Sequence, residues 1–505
     1  RVDADTLLDT ESFAGQSCRF CTRYPVDLLP IRVDSASLQA RPFIAPGCND
    51  ISGAGAVLRL SLKTLSEDVS FAELRPARLR FFLSGQAQHV YPLYELLLNK
   101  CLGLVVAGSD LDPAPQHMSA DALRPVGLAP DQGLLPYPDT AFSGYRLLTE
   151  YFAFPEKFLF IDVCDLDGAI SAACGESLNL YFYLRDSDTE LEHQLSASHF
   201  ALGCAPAVNL FPQTADPIPL SHTDPQYPVV ADARRTGGLE VYAIDAVGAT
   251  GADGSHTPYR PFYGIRHGEG GAGRPAYWFS RRHTVIEGEH RNETASEVDI
   301  ALVDLDFNPH KVDDQTLDLK LLCSNRNLPH KLPSDAGQPY FHLVDGNLAS
   351  AKIRSLVAPT AAIRPPQRER GYWRLISHLN LNHLSLSGAG GGTAPLQEIL
   401  RLYDFRDSPA TRNMIEAVVS LRTRSICAPI QIEGLVSLCR GTEIHLSLDP
   451  VMLNGTSALM FASVLERFFG LYCSINSFTR LIVSFHGQDG ELRRWPPRAG
   501  EKALV

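Results

Sequence analysis

Residues 151–162 constrain the fold more than any other part of the sequence, because five Phe or Tyr residues and a proline fall within ten positions there. Apolar residues recur at helical spacing over 143–154, which predicts a helix. That helix must end before Pro155, since proline lacks an N–H and its ring collides with the preceding turn. The run 158–161 then predicts a buried strand. Each buried ring contributes on the order of 2–3 kcal/mol. We therefore predict that this helix-to-strand corner is a packing centre, with a ligand site as the alternative.

Length, charge and cysteine content limit the classes of protein to which this sequence can belong. Single cores stop growing at roughly 250–300 residues, so a chain of 505 residues is predicted to contain several domains. The net charge of −12 argues against broad nucleic-acid binding. No apolar run reaches membrane-spanning length, so direct membrane insertion is not predicted. The 11 cysteines are scattered and odd in number, which favours reduced thiols in a cytoplasm.

Changes of pattern along the chain predict a multidomain, β-rich α+β fold in three parts. Residues 1–142 alternate short apolar runs with Pro, Gly and Asp turns and end in a long loop, which predicts a β-rich N-terminal domain. Residues 143–358 start with the aromatic corner and continue mainly as strands, which predicts a central β-rich domain. Residues 359–505 open with a Pro- and Arg-rich segment and contain more helix, which predicts a C-terminal α+β domain.

The C-terminal part is predicted to contain a unit like an α/β plait. Residues 443–448 predict a strand, residues 457–472 predict a helix capped by its first serine, and residues 477–485 predict another strand. Before this unit, residues 408–420 predict a helix that is also capped by its first serine. Residues 379–386 alternate like a strand and are followed by a glycine run.

Catalytic and metal-binding patterns are weak. Asp162, Asp165 and Asp167 follow the aromatic corner, and convergent carboxylates could carry out acid–base chemistry. A cytoplasmic multidomain hydrolase that uses these residues is therefore the alternative function, although such runs are more often solvated turns. Cys18 and Cys21 form a CxxC without a second ligand pair, so we predict no metal site and no cofactor. A carbohydrate- or surface-binding β protein is a third class that the strands and aromatic residues fit.

Short motifs run in order over most of residues 15–485. They are Phe154-Pro-Glu-Lys-Phe-Leu-Phe, Asn209-Leu-Phe-Pro, Tyr227-Pro-Val-Val, Glu240-Val-Tyr, Arg282-His-Thr, Cys323-Ser-Asn-Arg-Asn-Leu-Pro, Leu379-Asn-Leu-Asn-His-Leu-Ser-Leu, Leu400-Arg-Leu-Tyr-Asp, Arg440-Gly-Thr-Glu, Leu465-Glu-Arg-Phe-Phe and Ser474-Ile-Asn-Ser-Phe-Thr. Together they resemble the TssF family, also called ImpG or VasA, a baseplate subunit of bacterial type VI secretion systems. Cys21 stands where the family tends to carry Arg or Thr, which argues further against zinc. We expect the family's largely helical N-terminal region to be missing from this sequence.

The resemblance implies a structural role without catalysis, similar to that of wedge proteins in contractile phage-tail baseplates. It implies a wedge with TssG that supports assembly of the sheath and tube. The further implied partners are a second TssF copy, TssK, TssE and the VgrG spike. The implied location is the cytoplasm, at the inner face of the bacterial inner membrane.

Two places are predicted to contact partners. The first is the aromatic corner, and the second is the predicted C-terminal helix, where a charge pair lies within an apolar run and must reach solvent or pair at an interface. The predicted interface residues are Phe154, Glu156, Lys157 and Phe158 at the corner and Glu466, Arg467 and Phe468 on the helix.

Overall fold

The computed structural model describes residues 1–499 apart from 14, 48–50, 139–140, 172–173, 222–223, 236, 264–275, 288–292, 305–314, 335–338, 347–351, 365–391, 433–434 and 474–476. Helices and several β-sheets are mixed along the described part of the chain, which confirms the predicted multidomain α+β class. The predicted strand at 379–386 and nearly all of the glycine run after it lie outside the described residues.

The helices and strands are numbered in chain order. The helices are α1 (Phe71–Leu74), α2 (Ala87–Asn99), α3 (Ser143–Ala153), α4 (Thr189–Gln194), α5 (Thr393–Tyr403), α6 (Pro409–Glu416) and α7 (Ala458–Phe469). The strands are β1 (Leu7–Thr10), β2 (Arg19–Thr22), β3 (Ile31–Ala40), β4 (Ala56–Thr64), β5 (Arg78–Leu83), β6 (Cys101–Ala107), β7 (Gln116–Ser119), β8 (Leu123–Pro125), β9 (Phe160–Cys164), β10 (Ser177–Leu184), β11 (Phe200–Ala201), β12 (Ala207–Val208), β13 (Phe211–Thr214), β14 (Ile218–Pro219), β15 (Tyr227–Pro228), β16 (Glu240–Gly251), β17 (His256–Pro261), β18 (Ala276–Glu287), β19 (Glu293–Asp304), β20 (Gln315–Ser324), β21 (Tyr340–Leu343), β22 (Ile353–Arg354), β23 (Val418–Ile432), β24 (Leu435–Leu448), β25 (Ser477–Phe485), β26 (Arg493–Arg494) and β27 (Arg498–Ala499).

The chain divides into two compact units. Unit 1 contains residues 1–2, residues 24–206 and the described residues after 368, and unit 2 contains residues 3–23 and the described residues of 207–368. The predicted boundary between 142 and 143 falls inside unit 1, because β9 and β10 pair with strands that precede it in the chain. The division into domains 1–142, 143–358 and 359–505 stays a prediction.

Two antiparallel sheets form the first half of unit 1. Sheet A has the strand order β3-β4-β10-β6-β7, and sheet B has the order β11-β5-β9-β8. The central strand β10 is buried on both faces almost throughout, which explains why its sequence after Ser177 is a continuous apolar run apart from Asn179. The strands predicted at 56–62 and 178–184 are confirmed and lie side by side in sheet A.

The aromatic corner is built from α3, a 3-10 turn at Pro155–Phe158 and β9. The helix ends before Pro155 as predicted. The strand begins at Phe160 rather than at residue 158, because the proline opens a helical turn in which its missing N–H costs nothing.

Sheet C closes unit 1 with the order β23-β24-β25-β26, and β27 pairs with β25. β24, α7 and β25 form the predicted strand–helix–strand unit, and its two strands are parallel and directly adjacent. Gly441 in β24 leaves room for the ring of Phe478, which would lie 2.4 Å from a Cβ at this position. The helix predicted at 408–420 ends at Glu416, and the chain then enters β23, whose length the sequence did not reveal.

Unit 2 contains two further sheets. Sheet D has the order β12-β2-β1-β21-β22. Sheet E has the order β13-β20-β16-β17-β18-β19-β15, with β14 also on β20, and it is antiparallel except where β17 meets β18. Its core is aliphatic and aromatic, and includes Phe211, Val241, Ile300 and Leu319.

Candidate functional site

The aromatic corner is a packing centre, as predicted. The ring of Tyr151 stacks on Phe461 of α7, with centroids 5.8 Å apart, and meets Phe158 edge-on at 5.8 Å. All three rings are buried. The corner thus joins the N-terminal half of unit 1 to α7 in its C-terminal part. Helices α3 and α7 pack against each other through these apolar rings.

A buried ion pair lies beneath these rings. Lys157 and Glu150 are paired, and both side chains are almost completely excluded from solvent. Glu150 Oε1 also accepts hydrogen bonds from the backbone N–H groups of Leu134, at 2.7 Å, and Leu135, at 2.9 Å. Burial lowers the pKa of Lys157 to about 8, although attraction to Glu150 acts in the opposite direction. This carboxylate therefore fixes the 134–135 segment and the 3-10 turn to α3.

The same site explains Gly133. Arg146 of α3 donates a hydrogen bond to the carbonyl oxygen of Pro130 at 2.8 Å, and its Nε lies 3.8 Å from Glu150. A Cβ at residue 133 would lie 2.5 Å from the Arg146 guanidinium. A larger residue at this position would force the Arg146 side chain to shift from its place beside Glu150.

The corner residues predicted to contact partners differ in burial. Lys157 and Phe158 are buried inside unit 1, at 0% and 1% exposure. Phe154 and Glu156 are half-buried and retain surface. A direct contact role is thus physically open to Phe154 and Glu156, whereas Lys157 and Phe158 can act only by holding the corner in place. The interface role of all four stays a prediction.

The charge pair on α7 is satisfied within the chain. Glu466 is 4% exposed, and its Oε1 accepts a hydrogen bond from Arg498 Nε at 2.6 Å. Arg467 Nε lies 3.6 Å from the other carboxylate oxygen. Phe468 is buried and packs against Tyr145 of α3. We expected this helix to be a surface contact, but α7 lies in the core of unit 1 because nearly all of its residues are apolar. Only Arg467 keeps appreciable exposure, and its contact role stays a prediction.

The three aspartates do not form a catalytic group. Asp162 is buried and bidentate with Arg80, with Nε and Nη2 at 2.7 and 2.8 Å from the carboxylate oxygens. Asp165 is exposed in a turn with φ of 60°, a conformation that Asp tolerates better than most residues, and Asp167 is exposed too. One carboxylate is structural and two are solvated, so the hydrolase hypothesis loses its site.

Cys18 and Cys21, which form the CxxC, are buried free thiols. Burial raises the pKa of Cys18 to about 12, with a further contribution from Asp9. Across the described residues no group of three or more His, Cys, Asp or Glu side chains is placed to hold a metal ion.

Sequence reasoning missed a polar network in unit 2 that joins motifs far apart in the chain. The Asn209 side chain donates to Asn325 Oδ1 at 2.8 Å, and the Asn325 backbone N–H donates back to Asn209 Oδ1 at 2.8 Å. The backbone N–H of Arg19 donates to the same Asn325 oxygen. The signal was present in the motifs Asn209-Leu-Phe-Pro and Cys323-Ser-Asn-Arg-Asn-Leu-Pro, which contribute Asn209 and Asn325.

A second polar network in unit 2 surrounds Glu240. Arg364 Nε donates to Glu240 Oε1 at 2.8 Å, and the Ser296 N–H donates to the same oxygen at 3.0 Å. Burial acts to raise the pKa of Glu240, but the hydrogen bonds from Arg364 and Ser296 outweigh it and hold the pKa below its ordinary value. Arg282 donates to the carbonyl oxygen of Val241 at 2.7 Å and so fixes the start of β16. Arg364 lies in the segment that we interpreted only as a domain boundary.

None of the helices in the described part of the chain combines the length and the apolar character that a membrane-spanning helix needs.

Comparisons with known proteins agree with this architecture. The sequence model of the family described as "Type VI secretion system, TssF" matches residues 1–502. Type VI secretion system component TssF1 from Pseudomonas aeruginosa (strain PAO1) is 33% identical over 495 residues, which cover 96% of this chain and 79% of the relative. A chain in a cryo-electron microscopy structure of the type VI secretion system TssK-TssF-TssG baseplate subcomplex has the same fold, with a TM-score of 0.74 and 23% identity over 100% of this chain and 88% of that one. This chain therefore belongs to the TssF family of type VI secretion systems.

Proposed function

We propose that this chain is a structural subunit of a type VI secretion baseplate that forms a wedge with TssG and supports assembly of the sheath and tube. The observation that carries the proposal is the match of the TssF family along residues 1–502. A relative with 33% identity is itself named as a component of this secretion system.

The partners follow from the similar assembly. The solved structure that contains a chain with this fold is a complex of TssK, TssF and TssG. We therefore propose TssG and TssK as partners of this chain. A second copy of this chain, TssE and the VgrG spike are further proposed partners, and the proposed location is the cytoplasm at the inner face of the inner membrane. In a ring of repeated subunits, affinity comes from large buried areas and from many linked contacts.

The interior of the chain supports a scaffold rather than an enzyme. Asp162, the one buried carboxylate of the aspartate run, is neutralised by Arg80. Glu150 and Glu240 are likewise paired with cations inside the fold. A carboxylate whose oxygens are held by structural partners is poorly placed to exchange a proton with a substrate.

Co-expression tests this function. The untagged chain is produced with tagged TssG from the same secretion system, with and without TssK, and a tagged unrelated protein is the control. We expect the chain to co-elute with TssG in size-exclusion chromatography and native mass spectrometry to give a defined stoichiometry. If both proteins fold and still elute separately at micromolar concentrations, the proposed function is wrong.

A further inference from the structure

Sheet C has one face that is covered by helices of the chain and one face that is open. On the covered face Leu421, Leu446 and Val483 lie side by side on β23, β24 and β25, and all three are buried. Helices α5 and α6 contact β23, and α7 contacts β25. Side chains at the alternate positions of these strands lie on the other face, where Arg422 and His445 are exposed.

The open face is positively charged. The strand register arranges its side chains in two rows across the sheet, which are the row of Arg424, Glu443 and Arg480 and the row of Arg422, His445, Ile482 and Arg494. We call the surface of the four arginines in these rows the arginine face. It contrasts with the chain as a whole, whose net charge is −12.

The arginine face has few counter-charges within the chain. Glu443 is 8% exposed, and its Oε2 lies 3.7 Å from Arg480 and 3.8 Å from Arg494. Arg422 and Arg424 form no ion pair with a residue that the structure describes. These two cations stand about 7 Å apart on one face of β23, which is within a Debye length, and so repel each other. Carboxylates from a partner would remove this repulsion.

The chemistry of the arginine face favours carboxylates on another protein. A guanidinium binds a carboxylate through two parallel N–H groups, and it is less strongly hydrated than an ammonium, so it loses less when it enters an interface. A long polyanion such as DNA would also meet the rest of the chain, which is negatively charged. A small acidic patch on a protein would not.

Unit 1 carries a surface of the opposite charge. It consists of Glu67 and Asp68 in the turn after β4, Glu73 in α1 and Glu176 just before β10, and we call it the acidic patch. Its segments are joined by the backbone, since the N–H of Thr64 at the end of β4 donates to the carbonyl oxygen of Glu176 at 3.0 Å. All four acidic residues are exposed, and none forms an ion pair with another described residue.

The surroundings of the acidic patch also fit a protein contact. Leu65, at the start of the turn, is 63% exposed and would supply an apolar contact. Lys63 is already paired with Asp34 at 2.9 Å, and Arg75 donates a hydrogen bond to the carbonyl oxygen of Ala72 at 3.1 Å. The patch therefore keeps a surplus of negative charge.

We propose that the arginine face of one copy of this chain binds the acidic patch of a second copy. Four guanidinium groups would then face four carboxylates. Exposed ion pairs are weak one at a time, but a set of them shielded from water adds up and fixes the orientation of the two copies. The proposal rests on the proposed function, in which a second copy is one of the partners, and it assigns the surfaces of that contact.

Salt dependence gives the first measurement. Self-association of the full wild-type chain is followed by sedimentation velocity at increasing NaCl. Because the contact is electrostatic, we expect the apparent Kd to rise at least about tenfold between about 50 mM and about 500 mM NaCl. A Kd that does not change with salt would overturn the proposal.

A charge swap gives the second measurement. Arg422→Glu with Arg424→Glu reverses the arginine face, and Glu67→Arg with Asp68→Arg reverses the acidic patch. Each double variant alone should self-associate at least about tenfold more weakly than the wild type. An equal mixture of the two, carrying different tags, should form mixed complexes with close to wild-type affinity, because each reversed surface then meets a complementary one.

A matched control separates this contact from a general effect of charge. Arg401 and Arg406 are exposed on α5 and just after it, and Arg401→Glu with Arg406→Glu makes the same change in net charge. This variant should self-associate like the wild type. Melting temperatures check that each variant folds, and Arg422→Gln with Arg424→Gln replaces the reversed face if that variant is unstable.

The outcomes separate this inference from the proposed function. If the wild type binds TssG but stays monomeric, or if the reversed variants self-associate normally, the inference is wrong and the proposed function stands. A mixture that fails to restore association also overturns it, because the arginine face would then meet another surface. Separate elution of the wild type from TssG would contradict the proposed function, and the charge swap would still decide the contact between copies.

Discussion

Glu95 of α2 accepts a hydrogen bond from the hydroxyl of Ser457, at 2.8 Å, across 362 residues of sequence. The same carboxylate oxygen accepts the backbone N–H of Leu459 at 3.2 Å, while Ser457 accepts the N–H of Met460 at 3.1 Å. A negative charge at a helix N-terminus is stabilised by unpaired N–H groups and by the helix dipole. Two side chains that are far apart in the sequence therefore cap α7 together.

Removal of Glu95 should destabilise unit 1 without changing its surface. We expect Glu95→Ala to lower the free energy of unfolding by about 1–2 kcal/mol, since it removes one cap acceptor and one charge. Glu95→Gln keeps an acceptor oxygen and should cost less than about 1 kcal/mol. Equilibrium denaturation followed by circular dichroism measures both, and equal losses for the two variants would contradict this account.

The Glu150–Lys157 pair should show strong coupling between its two members. Lys157→Met leaves a carboxylate buried without its cation and should cost about 3–5 kcal/mol. In the double variant with Glu150→Gln, the amide oxygen can still accept the N–H groups of Leu134 and Leu135, so most of that loss should be recovered. A double-mutant cycle in urea measures the coupling. Additive losses would show that the pair is not a unit.

The contribution of this pair to the free energy of unfolding should rise with pH above about 8. The pKa of Lys157 is about 8 in the folded chain and 10.5 ordinarily, so between these values the unfolded chain binds more protons. Raising the pH from 8 towards 9.5 should therefore increase the stability of the wild type relative to Lys157→Met. The difference between the two proteins removes the effect of other groups that titrate in this range, and a difference that falls with pH would contradict the assignment.

Arg364 should matter more than its place in a Pro- and Arg-rich segment suggests. Arg364→Met leaves Glu240 without its cation and should destabilise unit 2 by about 3 kcal/mol, and Arg364→Lys should rescue it only in part, because lysine cannot make the two-pronged contact.

The pKa of Glu240 lies below its ordinary value of 4.5, so the stability that this group contributes is present above that pH and is lost as the pH falls through the folded pKa. The wild type should consequently lose more stability between pH 6 and pH 4 than Arg364→Met loses. Thermal unfolding at both pH values checks this, and parallel losses in the two proteins would argue against the ion pair.

Thiol reactivity should divide the cysteines by burial. Burial raises the pKa of Cys18 and of Cys323 to about 12, and both are 0% exposed, whereas Cys427 is exposed. Because the thiolate is the reactive form, Cys427 should be alkylated by iodoacetamide at pH 8 at least about 100-fold faster than Cys18 or Cys323. Peptide mass spectrometry over time measures the rates, with urea-unfolded protein as the control. Comparable rates in the folded protein would contradict the burial of these thiols.

Features that depend on neighbouring residues could be predicted from the sequence alone. Pro155 ends α3 because of its own ring, and Ser408 and Ser457 cap the helices that follow them, as predicted. Short apolar runs located β4, β10 and β25 for the same reason, since such a run is a property of a few consecutive residues. The ordered motifs were enough to indicate the TssF family, because they sample the whole chain.

Which charged groups are buried, and with which partners, depends on the three-dimensional fold. Glu466 and Lys157 looked like contact residues in the sequence, yet Arg498 and Glu150 neutralise them inside unit 1. Arg364 and Glu240 are 124 residues apart, and no local pattern connects them. Local rules describe one or two turns of chain, whereas an ion pair or a covered sheet face depends on where the fold brings distant segments together.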